Sequence, residues 1–96
     1  MKPSVTLHNK RREILQAVSD FRAANLRVFG SVLRGEDDGD SDLDLLVDAL
    51  PGTTLFELGG LQVTLEELLG CRVDLVTPGD LPQKFRAQVL AEARPV

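Results

Sequence analysis
With 96 residues, the chain has room for one small domain, 1–96, around one core, and its apolar runs fall far short of the roughly 18 residues that a membrane-spanning helix needs. The start, Met1-Lys2-Pro3-Ser4, lacks an apolar signal region, and the single cysteine, Cys71, can form no internal disulfide, which fits a reducing cytoplasm. A net charge of −4, with four Phe and neither Trp nor Tyr, argues against general nucleic-acid binding, which rests on Lys and Arg neutralising phosphates and on aromatic stacking.

Ser4 or Thr6 can cap a helix over about 7–23, with Leu7, Ile14, Leu15, Val18 and Phe21 near helical spacing and Lys10, Arg11 and Arg12 on its solvated side. Asn25 marks its end. Leu26-Arg27-Val28-Phe29 reads as a short strand, followed by a Gly30-Ser31 turn, a short helical or irregular stretch at 31–35 and an acidic surface loop at 36–41. Residues 42–48 suit a strand that begins polar and becomes buried. Alternation sets Asp42, Asp44 and Leu46 on one face and Leu43, Leu45 and Val47 on the other. After the Pro51-Gly52 turn, Thr53 or Thr54 can cap a helix over about 54–69 with a leucine stripe. Gly59-Gly60 is expected to kink or break that helix, and Gly70 to end it. Arg72-Val73-Asp74-Leu75-Val76 reads as a third strand, Thr77-Pro78-Gly79 as a turn, and about 82–92 as a last helix opened by Pro82. The order helix, strand, strand, helix, strand, helix predicts an α/β (α+β) fold: a small mixed β-sheet with helices mostly on one face.

The chemistry concentrates between residues 30 and 44. Gly30, after a strand, lets backbone approach a ligand closely, and Ser31 offers a hydroxyl and an N–H where an anion is favoured. Arg34 can reach a phosphate from the next turn; pairing with Glu36 or Asp37 is the plain alternative. Asp42 and Asp44, one residue apart, put two carboxylates on one strand face. Such a pair repels unless a cation lies between, and Mg²⁺ takes carboxylate oxygens together with substrate phosphates. The bland account is two solvated aspartates at a strand start. Asp74 lies within an apolar strand, where a buried carboxylate should be paired or metal-bound. If that strand lies beside 42–48, Asp74 joins Asp42 and Asp44; otherwise it is an edge residue facing water.

Other motifs fail on residues. After Gly30, Gly35 is followed by Glu36-Asp37 where a Walker-type P-loop needs Lys-Ser/Thr. An EF-hand from Asp40 would have Leu45 and Pro51 where Gly and Glu belong. His8, the one histidine, supports neither a zinc site nor a His-based triad and reads as a surface residue, while Cys71, between two apolar segments, reads as core filling.

Gly30-Ser31, then Asp42-Leu43-Asp44 at full spacing, then Arg72-Val73-Asp74-Leu75-Val76, resembles the nucleotidyltransferase superfamily of DNA polymerase β. Within it the chain looks most like the minimal nucleotidyltransferases, antitoxin partners of HEPN-domain toxins. The likeness covers nearly the whole chain, and the combined pattern is specific where its pieces are not. Leu33 departs from it, standing where relatives often carry a small residue. The resemblance implies that Gly30 and Ser31 hold the β- and γ-phosphates of ATP. It implies that Asp42 and Asp44 hold two Mg²⁺ ions, and that Asp74 is the third acidic residue, which activates the acceptor. It further implies transfer of AMP to a tyrosine hydroxyl of a HEPN toxin, with pyrophosphate leaving. Two alternatives stand beside it: an antitoxin that neutralises by occlusion with a silent site, and a nucleotidyltransferase of a small-molecule hydroxyl.

Overall fold
A computed structural model of the chain describes residues 2–30, 32–35 and 42–96. The expected first helix is two helices: α1, Pro3–Asn9, and α2, Arg11–Asp20. Pro3, with its pre-set φ, starts α1 earlier than the apolar stripe suggests. Lys10 departs from helical geometry at φ −109° and ψ 19° and separates the two, while its N–H still reaches the Thr6 carbonyl at 2.9 Å.

The helix gives way at Phe21 and Arg22, not at Asn25. Arg22 takes a left-handed φ of 61°, and its carbonyl accepts from Leu50 N–H (3.1 Å) and the Thr53 hydroxyl (2.6 Å), which fixes the turn. Strand β1 therefore begins early, at Ala23, and runs to Phe29. Asn25 sits inside it at φ 56°, where the pairing register shifts between Ala24 and Arg27. This bulge is held by side chains: Asn25 donates to Asp48 at 3.0 Å, and Arg27 pairs with the same carboxylate at 2.7 Å.

Strand β2, Leu43–Ala49, lies antiparallel to β1. Helix α3, Leu55–Leu69, then carries the chain back so that β3, Val73–Val76, pairs with β2 in parallel. Contrary to expectation, α3 runs unbroken through Gly59-Gly60. Gly60 is required by packing, because a Cβ there would stand 2.7 Å from the Phe21 ring. Thr54 caps the start by accepting from Glu57 N–H at 3.2 Å, and Gly70, φ 68°, ends it.

Beyond β3, Pro78–Asp80 forms a 3-10 turn closed by Asp80 accepting from both the N–H and the hydroxyl of Thr77, each at 3.0 Å. Helix α4, Gln83–Glu92, follows, tied back by Arg86 donating to the Leu81 carbonyl at 3.0 Å. A fourth strand, β4 at Arg94–Pro95, pairs antiparallel with β1, giving the mixed sheet the order β3-β2-β1-β4. Pro95 is tolerated because β4 is an edge.

The core lies between the sheet and helices α2 and α3. Ile14, Leu61, Leu65, Leu43, Leu45 and Val47 are fully shielded from solvent there. The expected alternation along β2 holds: Leu43, Leu45 and Val47 join this cluster, whereas buried Leu46 and Leu81 lie outside it. Asp44 thereby emerges on the face away from the main core. Cys71 packs against the cluster, as core filling requires. Among the described residues, no helix is long and apolar enough to cross a membrane.

Candidate active site
Asp42 directly precedes β2, and Asp44 is its second residue. The parallel pairing sets Asp44 opposite Asp74 of β3, and Leu43 N–H fixes that register by donating to the Arg72 carbonyl at 2.9 Å. All three aspartates line one cavity of about 420 Å³, with Gln62, Glu66 and Arg72 on its walls.

Asp74 does join Asp42 and Asp44, but it is exposed, not buried as its apolar strand suggested. The reason is topological: β3 is the outer strand of the sheet, so one side of it is open to water. Among the described residues, no three His, Cys, Asp or Glu side chains close into a finished metal shell. The aspartates line a shared cavity instead.

Asp44 bears the strain of this arrangement. Its carboxyl is raised above the ordinary 3.8, first by burial, then by the charges of Asp74 and Asp42; Arg34 acts in the opposite sense. Asp42 finds a weak partner in Arg72, 4.0 Å away, and both side chains are exposed, so this contact is strongly screened.

Gly30 stands against the same carboxylate. It adopts φ +76°, and a Cβ there would overlap Asp44 Oδ2 and stand 3.1 Å from Cγ. Glycine is therefore required by its own protein neighbour as well as by its left-handed backbone. The turn continues with Arg34 N–H donating to the Gly30 carbonyl at 3.2 Å. Arg34 lines a neighbouring cavity with Leu33 and Arg94, while its charge reaches Asp44. Ser31, and the Glu36 and Asp37 offered as partners for Arg34, lie outside the described residues.

Gln62 and Glu66 were not singled out in the sequence. Their i, i+4 spacing on the helix before β3 was the available signal. Glu66 has a structural task, since its carboxylate accepts from Val73 N–H at 3.0 Å and fastens α3 to the start of β3. The Cys71 thiol is pushed up by burial and then by Asp42 and Glu66, which favours its protonated form.

The arrangement gathers hard oxygen donors on one side of a tight glycine turn and places a guanidinium beyond them. A cation among the carboxylates would relieve their repulsion, and an anionic ligand would find backbone access and positive charge at the turn.

Residues 11–96 match the family described as a nucleotidyltransferase domain. Protein adenylyltransferase MntA of Thermococcus cleftensis is 43% identical over 72 residues, covering 75% of this chain and 73% of the relative. A solved minimal nucleotidyltransferase superposes with a TM-score of 0.87 at 46% identity, over 97% of this chain and 95% of the other. A crystal structure of a toxin–antitoxin with AMP-PNP shares the fold at a TM-score of 0.72 and 24% identity, over 86% of this chain and 68% of that one.

Proposed function
The chain belongs to the nucleotidyltransferase domain family, and on that premise we propose that it transfers AMP from ATP to a tyrosine hydroxyl of a cognate HEPN-domain toxin, acting as its antitoxin in the cytoplasm. The observation that carries this reading is the parallel register that sets Asp74 opposite Asp44 on a cavity shared with Asp42, with Gly30 packed against the Asp44 carboxylate. Support for nucleotide and acceptor comes from two neighbours: one is named for protein adenylyl transfer, and the other is a toxin–antitoxin crystallised with AMP-PNP. The acidic balance of the chain suits a protein acceptor better than a polynucleotide.

In this mechanism Gly30 and Ser31 receive the β- and γ-phosphates, and Arg34 adds positive charge beside them. Asp42, Asp44 and Asp74 fit Mg²⁺ in chemistry, being hard oxygen donors, and the Asp44 carboxyl is raised first by burial and then by its two neighbours. When bound there, two Mg²⁺ ions supply Lewis-acid stabilisation of the charge that builds on the phosphates. Asp74, on the outer strand of the sheet, accepts the hydroxyl proton of the acceptor. The acceptor oxygen then bonds to the α-phosphorus, the α–β bridging P–O bond breaks, and its electrons leave with pyrophosphate.

Incubation of the chain with ATP, Mg²⁺ and the cognate toxin should add the mass of AMP to the toxin. Asp42→Asn and Asp44→Asn should each abolish the adduct. Labelling that persists in both variants refutes the assigned carboxylates. Toxin neutralisation that survives both, with no labelling by the parent protein, identifies an occluding antitoxin instead.

A further inference from the structure
The solvent-facing side of α3 carries a feature that transfer chemistry does not use. Phe56 is 92% exposed, Leu55 85% and Val63 54%, on an otherwise well-packed helix. They border a groove of about 720 Å³ with Phe21, Gly59, Gly60 and Thr64. Phe56, Gly59, Gly60 and Val63 fall at i, i+3, i+4 and i+7, so they share one face, which Glu67 extends.

Gly60 is explained within the chain by Phe21, but Gly59 is not: a Cβ there meets nothing within 4 Å. A mid-helix glycine weakens a helix relative to alanine. Nothing in its own fold compensates for Gly59, whereas a backbone approaching from outside would.

We propose that this face is a self-association surface, on which a second copy of the chain docks antiparallel across a twofold axis at Gly59-Gly60. A dyad requires a patch complementary to itself, with each copy giving what the other receives. Placing the axis between the two glycines lets the helices cross closely. It sets Phe56 of one copy against Val63 of the other, beside the hollow floored by Phe21. The same symmetry sets exposed Glu67 opposite the chain around Gly52. Arg22 lies there, its guanidinium 3.5 Å from where a Gly52 Cβ would stand. Arg22 donates to the Pro51 carbonyl at 3.4 Å, and neither it nor Glu67 makes an ion pair among the described residues. The patch thus carries opposite charges at its two ends, and an antiparallel partner joins them twice.

A phenylalanine this exposed brings ~150–250 Å² to a contact. Counted on both copies with Leu55 and Val63, the patch lies at the small end of the interface range, so a weak, reversible dimer is expected.

Sedimentation equilibrium of the full chain should show a monomer–dimer exchange. Phe56→Asp should leave it monomeric with its thermal transition intact. Gly59→Ala should raise the melting temperature yet weaken the dimer. Arg22→Glu should weaken the dimer about tenfold, and Arg22→Glu combined with Glu67→Arg should restore it. A parent chain that stays monomeric through high micromolar concentration overturns the proposal, as does a charge-reversed pair that fails to recover. Loss of toxin binding in Phe56→Asp, from a parent that never dimerises, would give this face to the toxin instead.

Discussion

Replacing Gly30 by alanine tests the contact on which the site is built. Two separable costs are expected. The backbone at φ +76° disfavours any L side chain by about 1–2 kcal/mol. The new methyl also invades the space of the Asp44 carboxylate, 3.1 Å from Cγ, and forces that side chain off its rotamer for about 0.5–1.5 kcal/mol more. In an Asp44→Ala background the second cost disappears. Asp44 Cβ, at 3.4 Å, is at ordinary contact distance, so only the backbone strain is left. Urea denaturation of the parent, both single variants and the double variant should therefore give a coupling of about 1 kcal/mol, with unchanged slopes. For a domain of this size that corresponds to roughly 4–8 °C in melting temperature. Strictly additive costs would show that Gly30 and Asp44 are not in contact, and the glycine turn and the carboxylate cavity would cease to be one candidate site.

Acidity provides a second test. The Asp44 carboxyl is raised in the fold above its ordinary 3.8, so the native state binds this proton more tightly than the unfolded chain does. Its stabilising contribution is full below about pH 3.8 and is lost as pH rises through the higher folded value. In metal-free protein, Asp44→Asn should raise the melting temperature at neutral pH and flatten this part of the stability profile; a lower melting temperature contradicts the assigned burial and repulsion. Gly60→Ala should destabilise by about 1–3 kcal/mol in urea, because the Phe21 ring, 2.7 Å from the added methyl, must move. A neutral or stabilising result would show that Gly60 is not held by that ring.

Much of the site was legible because it is local. Asp42 and Asp44 share a face by the two-residue period of a strand, and the structure keeps that alternation, with Leu43, Leu45 and Val47 in the core. What stayed hidden depends on long-range partners. The exposure of Asp74 follows from the edge position of β3, which sheet order decides. The need for glycine at position 60 within the unbroken α3 follows from Phe21, which lies outside that helix. Asn25 looked like a helix end because it tolerates left-handed backbone. It uses that tolerance at a bulge, fixed by Asp48 from the adjacent strand. The break at Lys10 carries no Pro or Gly signal, and the two-residue strand that includes Pro95 exists only through its pairing with β1.

The pairing of β2 with β3 also sets the moment at which the site comes into being. Asp44 and Asp74 meet only after all of α3 has been placed between their strands, so this contact closes a long loop, whereas β1 and β2 follow one another directly. During synthesis the glycine turn and the first two carboxylates emerge from the ribosome ahead of the third. A nascent or truncated chain that ends before β3 can display most of the motif but none of the assembled centre. The third carboxylate thus joins the other two only once β3 has been made and paired.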